Sequence, residues 1–219
     1  MRVLGPVEVD RGDGAVERVR GLPARLLLAL IVDRGRDVAD DELVERLWPE
    51  GPPRHAMASV RNQVARLRRT YGSTIVERTT TGYRIGAQFP VLDVDHLEAA
   101  LTRAGDVLDE PAVAAQVVDG ALALVRGRPL HEIADEVWAM PAVTAITERV
   151  AGAEELWAAL SLQATPGAAD LARLRRLAAA QPHREARWRH LVHGLSGSGG
   201  ARRRCVPLAM PAARSPSSA

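Results

Sequence analysis

Between Ser59 and Arg69 the chain carries Ser59, Arg61, Asn62, Gln63, Arg66, Arg68 and Arg69, with no acid from Arg54 through Arg69. These are the side chains that recognise nucleic acid. Arginine forks onto guanine or phosphate, asparagine and glutamine pair with the adenine edge, and serine serves either. A few residues on, Arg78, Thr79, Thr80 and Thr81 form a cationic, hydroxyl-rich cluster suited to phosphate oxygens. From 54 to 84 seven arginines (54, 61, 66, 68, 69, 78 and 84) face Glu77 alone, a density expected where a protein meets a polyanion.

The bland alternative is a solvated helix face, and composition favours it somewhat. All 29 basic residues are arginine, so a single arginine says little and only its position informs. Position does discriminate. An ordinary exposed helix interleaves acids with arginines at i,i+4, whereas cations without acids repel one another until a partner neutralises them. Charge is also segregated along the chain. The first 90 residues are net basic, residues 91–195 net acidic, and the last 24 hold four arginines and no acid.

Other chemistries find less support. His190 and His193, with His183 nearby, have a ligand-like spacing but neither a cysteine nor a clear carboxylate partner at ligand spacing, so no metal is expected. The glycine-rich stretch 194–200 follows a helical pattern rather than a strand and lacks lysine, so it reads as linker rather than phosphate loop. No nucleophile elbow occurs. No enzymatic activity and no cofactor are expected. The single Cys205 excludes an internal disulfide framework. The apolar run at 26–32 is too short to span a bilayer, and the expected compartment is the cytoplasm.

The elements that must position these residues follow from periodicity. Residues 2–9 and 15–19, around the Gly-rich turn 11–14, predict a hairpin. LPARLLLALIV predicts a buried helix with Pro23 near its start and Gly35 past its end. DDELVERLWPEG predicts a second helix, capped by Asp40 or Asp41, with Leu43, Val44 and Leu47 on one face. A third helix is predicted over 53–71, because Met57, Val60, Val64, Leu67 and Tyr71 recur at spacings of 3, 4, 3 and 4. That stripe points inward and leaves His55, Ser59, Asn62, Arg66 and Arg69 outside, flanked by Arg61, Gln63 and Arg68. IVERTTTGYRI then predicts two strands around a Thr/Gly turn.

Taken together, RVLGPVEV, ELVERLWPEGPP, the helix core VARLRR and the ending TGYRI resemble the winged-helix DNA-binding domain of OmpR-type regulators. The similarity is nearest to the antibiotic regulatory protein (SARP) group of AfsR/DnrI/RedD-like transcriptional activators. It implies an α+β winged helix-turn-helix over 1–90 whose third helix enters the major groove of double-stranded DNA. Asn62, Gln63, Arg66 and Arg68 would be contacts there, and Arg78, Thr79, Thr80 and Thr81 the wing. The first predicted strand begins at the first residue, so no receiver domain is expected in front, and no nucleotide-binding ATPase segment is expected behind.

Residues 91–195 predict an all-α block. Trp157 and Trp188 each open a W-x2-L pattern 31 residues apart, a period that suggests tetratricopeptide-like hairpins. Asp93 or Asp95 is expected to cap the first helix, and single tryptophans here are expected in the core. DVDHLEAAL, ALALVRGRPLHEIADEVWAMP and AAAQPHREARWRHLVHGL resemble the family's bacterial transcriptional activation domain. That implies self-association as a homodimer on promoter direct repeats, contact with RNA polymerase, and control of secondary-metabolite (antibiotic) genes. Residues 196–219 lack helical period and predict a disordered basic tail that truncates the array. The rival reading is a helical protein-interaction adaptor whose winged helix no longer reads DNA. Gel shifts at two salt concentrations separate the two.

Overall fold

The computed structural model describes residues 1–10, 14–87, 91–164 and 166–197. Two compact units are present, Met1–Thr165 and Pro166–Ala219, so the expected division at residue 90 falls inside the first. Most of the predicted tail lies outside the described residues, but Ser196 and Gly197 are the last turn of a helix.

The first unit opens with strands β1 (Glu8–Asp10) and β2 (Val16–Arg18), paired antiparallel with Glu8 opposite Arg18. The expected strand over 2–9 is thus cut short. Arg2 bridges back to Glu8, and the backbone between them finds partners elsewhere. Helix α1 (Leu22–Val32) follows, with proline in its first turn and Leu26, Leu27, Leu28 and Leu30 fully buried. A helix apolar nearly all round must lie in the interior, and α1 is the post around which the other elements pack.

Strand β3 (Val38–Ala39) leads into α2 (Asp40–Leu47), whose Leu43 and Leu47 are buried and Val44 half-buried. Neither aspartate caps it. The N-cap is Ala39, which leaves the Asp40 carboxylate available to another element. Helix α3 spans Ala56–Tyr71, three residues shorter at its start than predicted. Strands β4 (Val76–Arg78) and β5 (Gly82–Ile85) form the hairpin behind it, and the sheet order is β3-β5-β4. Three helices and this hairpin make a winged helix-turn-helix.

Within the same unit lie α4 (Asp93–Asp106), α5 (Pro111–Leu122) and α6 (Met140–Gln163), with α5 packed on both others and two short 3-10 turns, His131–Ile133 and Val137–Ala139, ahead of α6. This helical layer supplies the missing partners of residues 3–7. Asp93, 3% exposed, accepts the N–H groups of Val3 (2.7 Å) and Leu4 (3.0 Å) instead of capping α4. Glu132 accepts the N–H of Val7 at 3.1 Å. The N–H groups of Arg126 and Leu130 donate to the carbonyls of Leu4 (2.7 Å) and Val3 (2.9 Å). Unpaired backbone groups cost free energy when buried, and here side chains and loop backbone of the helical layer satisfy them. Arg46 is a second tie. It donates to Ala29 O at 3.0 Å, pairs with Asp33 and Glu42, and lies 4.8 Å over the Trp138 ring.

The second unit contains α7 (Ala168–Ala180) and α8 (Glu185–Gly197), packed on one another. Arg187 is buried and donates to Leu177 O at 3.0 Å. The two tryptophans of the expected repeat are not equivalent. Trp157 is 4% exposed, whereas Trp188 is 44% exposed and donates its indole N–H to Pro182 O at 3.0 Å. Trp188 is therefore not a core residue. Among the described residues no helix is long and apolar enough to cross a membrane.

Candidate nucleic-acid interface

Val60, Val64 and Leu67 are buried beneath α3, with Met57 and Tyr71 half-buried at the ends of the stripe. This anchors the helix on α1 and α2 and fixes which side faces out. Arg54, just ahead of α3, and Arg61, Asn62, Arg66 and Arg69 on it are exposed, and Ser59 is half-buried beside them. No hydrogen bond or ion pair engages the four arginine side chains among the described residues. The expected acid-free outer face is present, and its charge is uncompensated.

Two flanking residues do not join that face. Arg68 is half-buried, and its Nε donates to Val76 O at 2.8 Å, fastening α3 to the hairpin. Gln63 is half-buried, with its side-chain oxygen shielded from solvent and lacking a hydrogen-bond donor. Both sit where the helix surface curves toward the body, close enough for a long side chain to find the interior.

In the hairpin, Val76 pairs with Ile85, Glu77 with Arg84 and Arg78 with Tyr83. The tip is tight. Thr79 N–H donates to Gly82 O at 3.0 Å, and the Thr79 hydroxyl oxygen accepts from Gly82 N–H at 3.1 Å. That hydroxyl is occupied by the turn, while Thr80 and Thr81 are exposed. Gly82 is required by close approach, since a Cβ there would stand 1.9 Å from Val38 O on β3.

The hairpin arginines are held internally. Arg78 forks onto Asp40, with Nη2 2.9 Å from Oδ2, and its guanidinium lies 4.7 Å over the Tyr83 ring. Thr81 O accepts from Asp40 N–H at 3.2 Å, so the wing is fastened to the start of α2 through backbone and side chain together. Arg84 donates to Glu77 at 2.8 Å. That hydrogen bond, aided by the Ala87 N–H, holds the Glu77 carboxyl below the usual carboxylate range.

The residues that sequence reasoning missed are those whose partners lie far along the chain. Asp40 read as a helix cap, although its partner Arg78 is 38 residues away. Its neighbour in the sequence, Asp41, offered the same local signal, so no local pattern could have chosen between them.

A family model described as the bacterial transcriptional activator domain matches residues 92–203, just over half of the chain. The regulatory protein AfsR of Streptomyces griseus is 34% identical over 92 residues, covering 42% of this chain and 9% of that protein. The transcriptional regulatory protein EmbR of Mycobacterium tuberculosis is 26% identical over 198 residues, 87% of this chain and 51% of that protein. A solved structure of Mycobacterium tuberculosis EmbR in complex with a low affinity phosphopeptide superposes with a TM-score of 0.74 at 26% identity. It covers 90% of this chain and 54% of that one. The chain thus spans about half the length of EmbR and a small part of AfsR.

Proposed function

The chain belongs to the bacterial transcriptional activator domain family, and on that premise we propose that it is a sequence-specific DNA-binding transcriptional activator of the SARP type. The observation that carries this reading is the outer face of α3, where exposed cations without partners among the described residues surround Asn62. An α-helix fits the major groove, and the docked face needs donors for base edges and charge for phosphates. Arg66 and Asn62 take the base-reading role. Arg54, Arg61 and Arg69 meet phosphates, with Ser59 beside them and the exposed Thr80 and Thr81 nearest the backbone on the wing side. Gln63 and Arg68 support α3 rather than reach the duplex, which narrows the set expected from the sequence.

The helical half is read as tetratricopeptide-like helix pairs that mediate protein contacts: self-association on promoter direct repeats and engagement of RNA polymerase. Its net acidity suits protein surfaces better than DNA. Control of secondary-metabolite genes in the cytoplasm completes the proposal.

A mobility shift against promoter fragments at two salt concentrations tests it. Three phosphate-bound arginines give a log–log salt slope of about −3. Arg66→Ala should weaken operator binding by about 1–3 kcal/mol with the fold intact. Wild-type protein indifferent to both DNA and salt would refute the proposal and leave the protein-interaction adaptor.

A further inference from the structure

Arg20 lies in the bend between β2 and α1, where Gly21 takes φ +66 to turn the chain into the helix. Three arginines surround this bend and fare differently. Arg18 faces Glu132 at 3.9 Å, and Arg25 donates to Glu136 at 2.8 Å and to the Arg46 carbonyl at 3.3 Å. Arg20 is exposed and has no hydrogen bond or ion pair among the described residues. It lines a recess of about 230 Å³ together with Glu17, Arg18, Arg66, Thr70 and Tyr71. Glu17 is the one acid among the described residues that line it, and the first turn of α1 contains none.

Arg66 makes the connection. It belongs both to the outward face of α3 and to the lining of this recess. A duplex whose bases meet Asn62 and Arg66 therefore carries one strand's backbone past the recess. We propose that Arg20 is a further DNA contact, binding a backbone phosphate at the recess between β2, α1 and α3. The proposal rests on α3 being the DNA-facing helix. An isolated exposed guanidinium beside a second one raises the local potential, and a phosphate is the group on DNA that relieves it without regard to sequence. Arg18 and Arg25 show the alternative fate, since the helical layer supplies each of them with a glutamate.

The test compares Arg20→Ala, Arg20→Lys and Arg66→Ala in the full chain. Each is titrated with a random-sequence duplex and with a duplex selected by the protein from a randomised pool, across a range of salt. Arg20→Ala should lose affinity for both duplexes alike, by a factor on the order of 8 at about 0.1 M salt, and flatten the salt slope by about 0.9. Arg20→Lys should keep the slope. An unchanged slope in Arg20→Ala, or a loss confined to the selected duplex, overturns the phosphate contact. If Arg66→Ala still weakens selected binding in that case, the α3 reading survives. If Arg66→Ala is silent as well, both fall. Because Arg20 is exposed and unpaired among the described residues, the melting temperature of Arg20→Ala should match the wild type and exclude unfolding as the cause.

Discussion

Among the described residues Arg54, Arg61, Arg66 and Arg69 stand in and beside α3 with no internal partner, whereas Arg78 and Arg84 on the β4–β5 hairpin are each held by a carboxylate. The two regions are neighbours in sequence and similar in arginine content, yet their charge is differently disposed. Cations left unpaired on α3 repel one another in the free protein and gain most when a polyanion arrives. Cations paired on the hairpin instead stiffen it, fastening the wing to α2 through Asp40 and cross-linking β4 to β5 through Glu77. Counting arginines from 54 to 84 therefore overstates the charge free to meet DNA, and the surplus goes into shaping the wing.

The comparison can be broken most directly at the hairpin's attachment. Gly82→Ala places a methyl group against Val38 O and must open the β3–β5 pairing. We expect a stability loss of about 3 kcal/mol in urea unfolding. A melt indistinguishable from wild type would show that the wing is not locked to β3. Next in size is the contrast in binding. Arg61→Ala should cost about 1 kcal/mol of affinity on random-sequence DNA. Arg84→Ala should leave affinity within a factor of about two, since its charge is already satisfied. Equal losses from the two would erase the distinction between free and held arginines.

Asp40→Asn sharpens it further. Neutralising that carboxylate frees Arg78 for phosphate, so the salt slope should steepen by about 0.9 in the same titrations. A flatter slope would mean that Asp40 presents Arg78 to DNA rather than withholding it. The smallest effect concerns acid. Glu77 has a lowered folded-state pKa, so its pairing stabilises the fold above the ordinary carboxylate value and is lost as pH falls through the folded value. The stability difference between wild type and Arg84→Gln should accordingly be constant from about pH 5 to 7 and vanish below about pH 3. A difference that persists at low pH would place the role of Arg84 in packing.

Much of α3 was legible in the sequence, because a 3-4-3-4 apolar spacing defines an inward face and thereby an outward one. The burial of α1 was legible because its sequence is apolar nearly all round. What escaped was the fate of residues at the margin of a face. Periodicity assigns Gln63 and Arg68 an angle, but only the neighbouring strand decides that a carbonyl at Val76 is within reach of Arg68. Pairs distant in sequence escaped too. Asp93 occupies the start of a helix as expected, yet its carboxylate binds backbone 89 and 90 residues earlier. The exposure of Trp188 escaped for a third reason. Similar spacing around Trp157 and Trp188 reflects similar helices and says nothing of what lies against each, one 4% exposed and the other 44%.

The binding of residues 3–7 to Asp93, Arg126, Leu130 and Glu132 also sets a timetable. Residues 3–7 obtain all their partners only after as many as 127 further residues have been added, the separation of Val3 and Leu130. At about 5–20 residues per second that is a delay of roughly 6–25 s, while α1, α2, α3 and the hairpin already have their mutual contacts within reach. Synthesis thus delivers the helix-turn-helix before residues 3–7 are secured, and the helical layer closes over a unit whose centre is already in place.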